Sequence, residues 1–422
     1  MEMENEIMQG RDIVMVGLQP WDVPIGSNCK NIAMELSRYN RVLYVNRALD
    51  RISSIRDKND PITIARMKSI RREVDDINEV HPNLFVLNPR TIVSSANWVP
   101  TDMLFDYFNY RNNKSIAKEI QQAMKRLQFV DPILINDSDF FRAFYMDELL
   151  PGFAATVYYI RDNLVSQPYF QKHGVRLEPK LMAKSTMVAA NSAYLANYAK
   201  QHNPNSIDIG QGCEFDHFIV KRAPEKPFGM QGINGPLIGY VGALMSARLD
   251  INIIKTIAQA NTQWQVILVG PEDESFRQSE LHNMPNVHFL GPQPAHTLAD
   301  YIYHFDVCMN PQALNDMTIG NYPRKVDEYL AMGKPVVATK TAAMEMFAPY
   351  TYLCENANEY VQAIGNILRM PVDLPVIEAR KKFALSHTWP ASVGKMCQQL
   401  KQILEQQNKR TWPTIGLATI ES

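Results

Sequence analysis

The chain has little that would tie it to an oxidising compartment or to a structural metal. Its five cysteines, Cys29, Cys213, Cys308, Cys354 and Cys397, are odd in number, dispersed, and never spaced as CxxC. That excludes a disulfide framework and a zinc ribbon, and makes a reducing cytoplasm the expectation. Excess charge is lacking as well. The formal net charge of −1 argues against general nucleic-acid binding. No apolar run approaches the roughly 20 residues that a membrane span needs. The first ten residues, MEMENEIMQG, are acidic and polar and do not read as a signal peptide. Short repeats, low-complexity tracts and a GxGxxG loop are all missing.

What is present is ordinary for a globular protein: 46% hydrophobic and 21% charged residues. A length of 422 residues suggests two domains with a core each. The first half opens with an apolar run, Ile13 to Leu18, then a loop from Gln19 to Asn28. A helix from about Cys29 to Ser37 and a strand from Arg41 to Asn46 follow, which is a βαβ unit. Ligands of open α/β sheets bind at the carboxyl ends of strands, so the loop holding Gly26 and Ser27 should face a cleft; a helix-entry turn explains the two residues equally well. Further strands are expected at Leu84–Leu87, 132–136, 154–160 and Met187–Ala190, and near Ile207. The ends Asp137-Ser-Asp139 and Arg161-Asp162-Asn163 should open onto the same cleft. A helix-like stretch begins at Glu178. The aromatics between Trp98 and Phe129 read as core.

Residues 47–75 are rich in arginine and lysine, among them Arg47, Arg51, Arg56, Lys58, Arg66 and Lys68. A solvated helix surface and a membrane-surface patch both account for them.

The stretch 220–235, with Pro224, Pro227, Gly229, Gly232 and Gly235, is the clearest boundary. It divides an N-terminal domain, 1–219, from a second domain, 236–385, with 386–422 as a final helix and tail. The second half alternates strands and helices, which supports a parallel sheet. Its first strand, from Leu237, ends at Gly242, where a ligand can approach the backbone closely. Arg248 follows in the same loop. His288 sits in an apolar strand and reads as structural.

The most informative stretch runs from Asn321 to Thr339. Asn321 can cap a helix, Pro323 suits its first turn, and Gly333 suits its left-handed end. Val326, Tyr329, Leu330 and Gly333 form one apolar face. Lys325 and Glu328, three apart, share another. A helix start attracts phosphate, Lys325 adds charge there, and Glu328 lies about 5 Å further along the axis. A carboxylate so placed can hold the two hydroxyls of a ribose. A plain surface Lys–Glu pair is the competing reading.

The string from Pro323 to Val337, PRKVDEYLAMGKPVV, resembles the donor-binding signature of GT-B glycosyltransferases of the group 1, family-4-like branch. Bacterial glucuronosyltransferases and teichuronic-acid enzymes belong to that branch. The resemblance covers most of the second half and only thinly the first. It implies two Rossmann-like α/β domains whose parallel sheets face across a cleft. It implies transfer of a sugar from a nucleotide-diphosphate sugar, UDP-linked, to a hydroxyl of a saccharide or lipid-linked glycan in cell-surface polysaccharide synthesis. Pro323, Lys325, Glu328, Gly242 and Arg248 would bind the donor, and Gly26 and Ser27 would border the cleft. Asp162 would serve as the base if configuration inverts; a helix cap or a pair with Arg161 is the alternative. Asp22, Asp137 and Asp139 are weaker candidates. In relatives of this kind the last helix returns to the first domain, which makes Trp389 a packing anchor.

The chain departs from the family pattern at one point. Many retaining members carry a second Glu eight residues before the first, and here that position is Gly320. The departure puts a retaining mechanism in doubt. No metal and no cofactor are expected, the nucleotide sugar being a substrate, and no nucleic-acid partner. A cytoplasmic location is expected, at the inner face of the membrane if the basic stretch touches lipid. Two rivals share the architecture: a nucleotide-sugar epimerase and a non-catalytic sugar-nucleotide-binding protein. A dinucleotide-dependent dehydrogenase is a third, disfavoured by the missing glycine loop.

Overall fold

The computed structural model describes residues 7–23, 26–220 and 222–411, with side chains of the last helix described as far as residue 407. It consists of two α/β units. The first comprises residues up to 191, 195–209 and the chain from Trp389 onward; the second comprises 192–194 and 210–388.

The first unit is built on an eight-stranded sheet. Its strands are β1 (Asp12–Gly17), β2 (Arg41–Val45), β3 (Ile77–His81), β4 (Leu84–Leu87), β5 (Ile133–Asp137), β6 (Ala155–Ile160), β7 (Met187–Ala190) and β8 (Ser206–Asp208). Their order is β3-β4-β2-β1-β5-β6-β7-β8, and every pairing is parallel except β3 with β4. Side chains alternate across it. Ile13 and Met15 of β1 enter one core, with Ile32 and Leu36 of the helix Asn28–Ser37. Val14 and Val16 enter the other, with Ile116 and Ile120 of the helix Asp102–Arg126. Trp389, Val393, Met396 and Leu400 of the last helix pack into the first of these cores.

The second unit carries a six-stranded, all-parallel sheet: β9 (Leu237–Val241), β10 (Gln265–Val269), β11 (Val287–Phe289), β12 (Val307–Asn310), β13 (Val336–Thr339) and β14 (Tyr352–Cys354). The order is β11-β10-β9-β12-β13-β14. Leu237 and Val241 face one core and Ile238 and Tyr240 the other. The second unit starts ten residues before the Pro/Gly-rich stretch, because Cys213, Phe215 and Phe218 are buried in its core with Met230 and Tyr322.

Several expectations need correction. The helix around Glu178 begins at Pro168 and tolerates Pro179 in its interior. Glu178 is a buried interior residue, not a helix start. The aromatics near residue 100 are mostly not core: Phe105 is buried, while Trp98, Tyr107 and Tyr110 are exposed. The inward stripe of their helix is Phe105, Asn109, Asn113, Ile116, Ala117, Ile120 and Ala123, and Tyr107 and Tyr110 fall off it. The basic stretch is not uniformly solvated, since Arg66 is buried. It donates to both oxygens of Asp22 at 2.7 and 2.5 Å, and to the Arg47 carbonyl. The Asp137–Asp139 turn is enclosed rather than open, with both carboxylates buried.

Candidate functional site

The site in the second unit is assembled at the carboxyl end of β9. The helix Arg324–Ala331 packs on the sheet through Val326, Tyr329 and Leu330, all fully buried. Tyr329 fixes its register. The Val241 N–H donates to the Tyr329 hydroxyl at 2.9 Å, and that hydroxyl lies 3.4 Å from the Val241 carbonyl. The helix is thereby tied to the last residue of β9, one residue before Gly242.

Gly242 has φ +146, a conformation that favours glycine. A Cβ built there would meet the Lys325 Cε at 3.0 Å, its Nζ at 3.1 Å and the Tyr240 hydroxyl at 3.0 Å. The Lys325 amine lies 5.0 Å from the centre of the Tyr240 ring. Two residues 83 positions apart in sequence, Gly242 and Lys325, are thus in contact. Lys325 forms no ion pair among the described residues, so its charge is directed at the aromatic ring and at the space beside the glycine.

Glu328 lies one turn further along the same helix and is half-buried. Burial pushes its carboxyl up; Arg324 and Lys325 pull it back and Asp327 adds to the rise. The Nε of Arg324 is buried without a partner. The helix start differs from expectation. Pro323 occupies the capping position itself, with φ −87 and ψ 83, and no side chain caps the helix. Asn321 does not cap it, because Pro323 stands where the capping residue would be and the helical residues begin at Arg324. Gly333 ends the segment with φ +75.

Arg248 is exposed in the loop after Gly242. That loop is held by its backbone and by one carboxylate: Leu244 N–H to the Pro271 carbonyl at 2.8 Å, and Ser246 N–H and hydroxyl to Asp273 at 2.7 and 2.8 Å. Arg248 itself makes no ion pair among the described residues.

Asp327, on the buried side of the same helix, escaped the sequence reading. It accepts from the Tyr322 hydroxyl at 2.7 Å and meets His387 Nδ1 at 2.8 Å, with Cys213 Sγ at 3.5 Å. Tyr240 escaped it too, and so did the hydroxyl contact of Tyr329 with β9, although Tyr329 itself was read on the apolar face. The one signal available was a tyrosine within each otherwise apolar face. Gly320, the position at which the sequence lacks a second carboxylate, is tightly packed: a Cβ there would fall 2.3 Å from Tyr194 Cδ1.

In the first unit, Ser27 caps the helix Asn28–Ser37, its hydroxyl accepting the Lys30 N–H at 3.3 Å. Gly26 is exposed with nothing within 4 Å of a built Cβ. Asp162 directly follows Arg161 after β6 and is half-buried. Neighbouring β5 ends in Asp137, whose carboxylate is buried 3.3 Å from the Arg161 Nε. Burial pushes the Asp137 carboxyl up; the Arg161 charge opposes this, and Asp162 adds to the rise. Gly26, Ser27 and Asp162 all lie beyond the carboxyl ends of β1 and β6. The helix after β1 leads to β2 on one side and β5 pairs on the other, so Gly26 and Ser27 lie at the switch point of the sheet and Asp162, beyond β6, one strand away from it.

Residues 235–370 match the family model described as glycosyl transferases group 1. A teichuronic acid biosynthesis glycosyltransferase of Bacillus subtilis, TuaH, is 27% identical over 248 residues, which is 54% of this chain and 60% of that protein. Solved structures match along nearly the whole chain. Alpha,alpha-trehalose 6-phosphate synthase of Burkholderia multivorans aligns with a TM-score of 0.64 at 11% identity, covering 96% of this chain and 99% of its own. Anabaena HepE, solved in complex with UDP, aligns with a TM-score of 0.59 at 15% identity, covering 95% and 99%. These likenesses show the GT-B fold.

Proposed function

We infer that this chain, whose residues 235–370 form a group 1 glycosyltransferase domain on a GT-B fold, transfers a sugar from a UDP-linked donor to a hydroxyl of a saccharide or lipid-linked glycan. The observation that carries the reading is the approach of Lys325 to Gly242 at the end of β9. It puts a cation beside a side-chain-free backbone segment, as a diphosphate requires. HepE, with the same fold, was solved with UDP, and TuaH is named for teichuronic acid synthesis, which favours a uridine donor and a cell-surface polysaccharide product.

Each residue then has a role. Lys325 stabilises charge on the leaving diphosphate. Glu328, one turn along, holds the ribose hydroxyls, and Pro323 starts the helix without spending a side chain on its cap. Arg248, exposed in the Gly242 loop, reaches the diphosphate from that side. An oxocarbenium-like transition state is expected, as in glycoside chemistry. Asp162, on the carboxyl edge of the first sheet, takes the acceptor proton. The tight packing at Gly320 favours inversion, because the second carboxylate of retaining relatives would have to displace the Tyr194 ring. Gly26 and Ser27 border the acceptor. No further cofactor is needed in this scheme.

We extend the reading to contact with an anionic membrane surface. The helix Arg51–Arg56 buries none of its residues, and Ile52 and Ile55 are 56% and 74% exposed between the two arginines. Among the described residues no helix is long and apolar enough to cross a membrane. A peripheral location on the cytoplasmic face follows from this scheme.

The test is calorimetric titration of UDP and UDP-sugars into the full chain and into Glu328→Ala and Lys325→Ala. Tight UDP binding, weakened by both substitutions, supports the reading. UDP binding indifferent to both would sink it, and NMR detection of an epimerised sugar nucleotide without acceptor would replace transfer by epimerisation.

A further inference from the structure

The first unit contains a pocket that the donor chemistry does not use. It lies among the segments that follow β1, β2, β4, β5 and β6, represented by Leu18, Arg47, Asn97, Arg142 and Tyr169. All of these leave the carboxyl edge of the sheet, where ligands of such sheets bind. Two guanidinium groups line it. Arg142 brings its Nε to Asp139 at 2.8 Å, and that carboxylate is buried. Arg47 is exposed and forms no ion pair among the described residues.

The two arginines disfavour each other. The Arg142 charge, ahead of burial, pulls the Arg47 pKa down; Asp139, Tyr169 and Asp50 oppose it. Asp50, the one carboxylate lining the pocket among the described residues, is committed to the next helix. It accepts from the Ile52 and Ser53 N–H groups at 3.0 and 2.9 Å and from the Ser53 hydroxyl at 2.8 Å. Polar capacity is also left open. Asn109 is 3% exposed, lines the pocket, and its amide nitrogen has no partner. Asn97, which also lines it, leaves its Oδ1 unpaired. Buried polar groups are nearly always paired, so an unpaired donor in a pocket that carries two guanidinium groups marks a place for an anionic ligand, whose own hydroxyl can serve Asn97.

The cavity measures about 90 Å³. That is room for a carboxylate or a phosphate. Tyr169, which also lines the pocket, is 54% exposed and offers a face to a ring attached to such a group.

We propose that this pocket binds the oxyanion of an acidic glycan, a carboxylate or phosphate carried by the acceptor sugar, through Arg47, Arg142 and the Asn109 amide. The inference rests on the glycosyl-transfer reading for the word acceptor, and names the acceptor's chemical class. A carboxylate would come from a uronic acid; a phosphate would come from a sugar phosphate or a lipid-linked phosphate.

The experiment is calorimetric titration of the full chain with glucuronate, glucose 1-phosphate and glucose. The expected result is binding of at least one of the two anions at least tenfold more tightly than glucose. Arg47→Gln should weaken that anion about tenfold, and Arg47→Glu should abolish it. Arg47 is exposed, so both variants should keep the unfolding midpoint of the parent, which a thermal melt checks. Preference for glucuronate assigns the carboxylate source and preference for glucose 1-phosphate the phosphate source. Anions that bind no better than glucose, or that bind Arg47→Glu as well as the parent, overturn the proposal. UDP titration of the same preparation reads the donor site separately, so a chain that binds UDP but neither anion loses this pocket alone.

Discussion

Two glycines show how much a single absent side chain decides. At Gly242 a methyl group would meet Lys325 and the Tyr240 hydroxyl, and the φ of +146 is strained for any other residue. Gly242→Ala should therefore displace the lysine while leaving the helix that carries it in place. Loss of a charge-assisted hydrogen bond is worth about 1.5–3 kcal/mol, so UDP affinity should fall roughly ten- to a hundredfold, as for Lys325→Ala. Titration of both variants checks this, and unchanged affinity in either would separate Lys325 from the diphosphate. Gly320 is constrained differently, by packing rather than by backbone. A Cβ 2.3 Å from the Tyr194 ring forces a shift. Gly320→Ala should cost about 1–3 kcal/mol by overpacking. Tyr194→Ala in the same chain should recover part of that loss, because it removes the obstructing ring. Denaturant unfolding of the two single variants and the double variant gives the coupling.

At the scale of the element, the helix Arg324–Ala331 was legible on two of its sides and illegible on the third. Apolar spacing gave the packed face, and Lys325 with Glu328 gave the polar one. Asp327 was not readable, because Tyr322 and His387 reach it from different segments, one of them 60 residues away. A buried carboxylate can be inferred only once its partners are in place. Asp327→Ala should remove the acceptor that Tyr322 and His387 share and destabilise the second unit by about 3–5 kcal/mol, whereas Asp327→Asn keeps an acceptor and should cost less. Thermal melts compare the two. The helix Pro168–Lys184 supplies a pH test. Burial pushes Glu178 up to about 7, with the Tyr158 hydroxyl donating to it at 2.8 Å. Below about pH 4.5 the carboxyl is protonated in both folded and unfolded chains. As pH rises towards 7 the unfolded chain releases this proton more readily, so the stability associated with the neutral carboxyl is lost across that window. The shift corresponds to about 3 kcal/mol. Unfolding midpoints of the parent should fall relative to Glu178→Gln between pH 5 and 8, and parallel curves would place the carboxyl in a wetter setting.

For the molecule as a whole, the central strands of both sheets were readable because parallel strands buried on two faces are continuous apolar runs. The edges were not. β3 reads Ile-Asn-Glu-Val-His, is mostly exposed and pairs antiparallel, and β14 has three residues, so neither carries a period. The surface was legible only as charge. A net charge of −1 predicts no long-range attraction to an acidic surface, so any membrane contact must come from local distribution. The helix Arg51–Arg56 provides such a locality, although Arg56 already pairs with Asp57 at 2.8 Å. Apolar insertion by Ile52 and Ile55 and attraction by Arg51 would then contribute together, and the two respond to different perturbations. Salt screens the charge, with a Debye length of about 3 Å at 1 M, and leaves apolar contact intact. The full chain should co-sediment with phosphatidylglycerol vesicles and much less with phosphatidylcholine vesicles. High salt should release part of it, and Ile55→Glu should release nearly all of it, since this substitution removes apolar area and adds a repelled charge at a residue already 74% exposed. If the Ile55→Glu chain still sediments with the acidic vesicles, the helix faces water, and the isoleucines are surface residues without a lipid role.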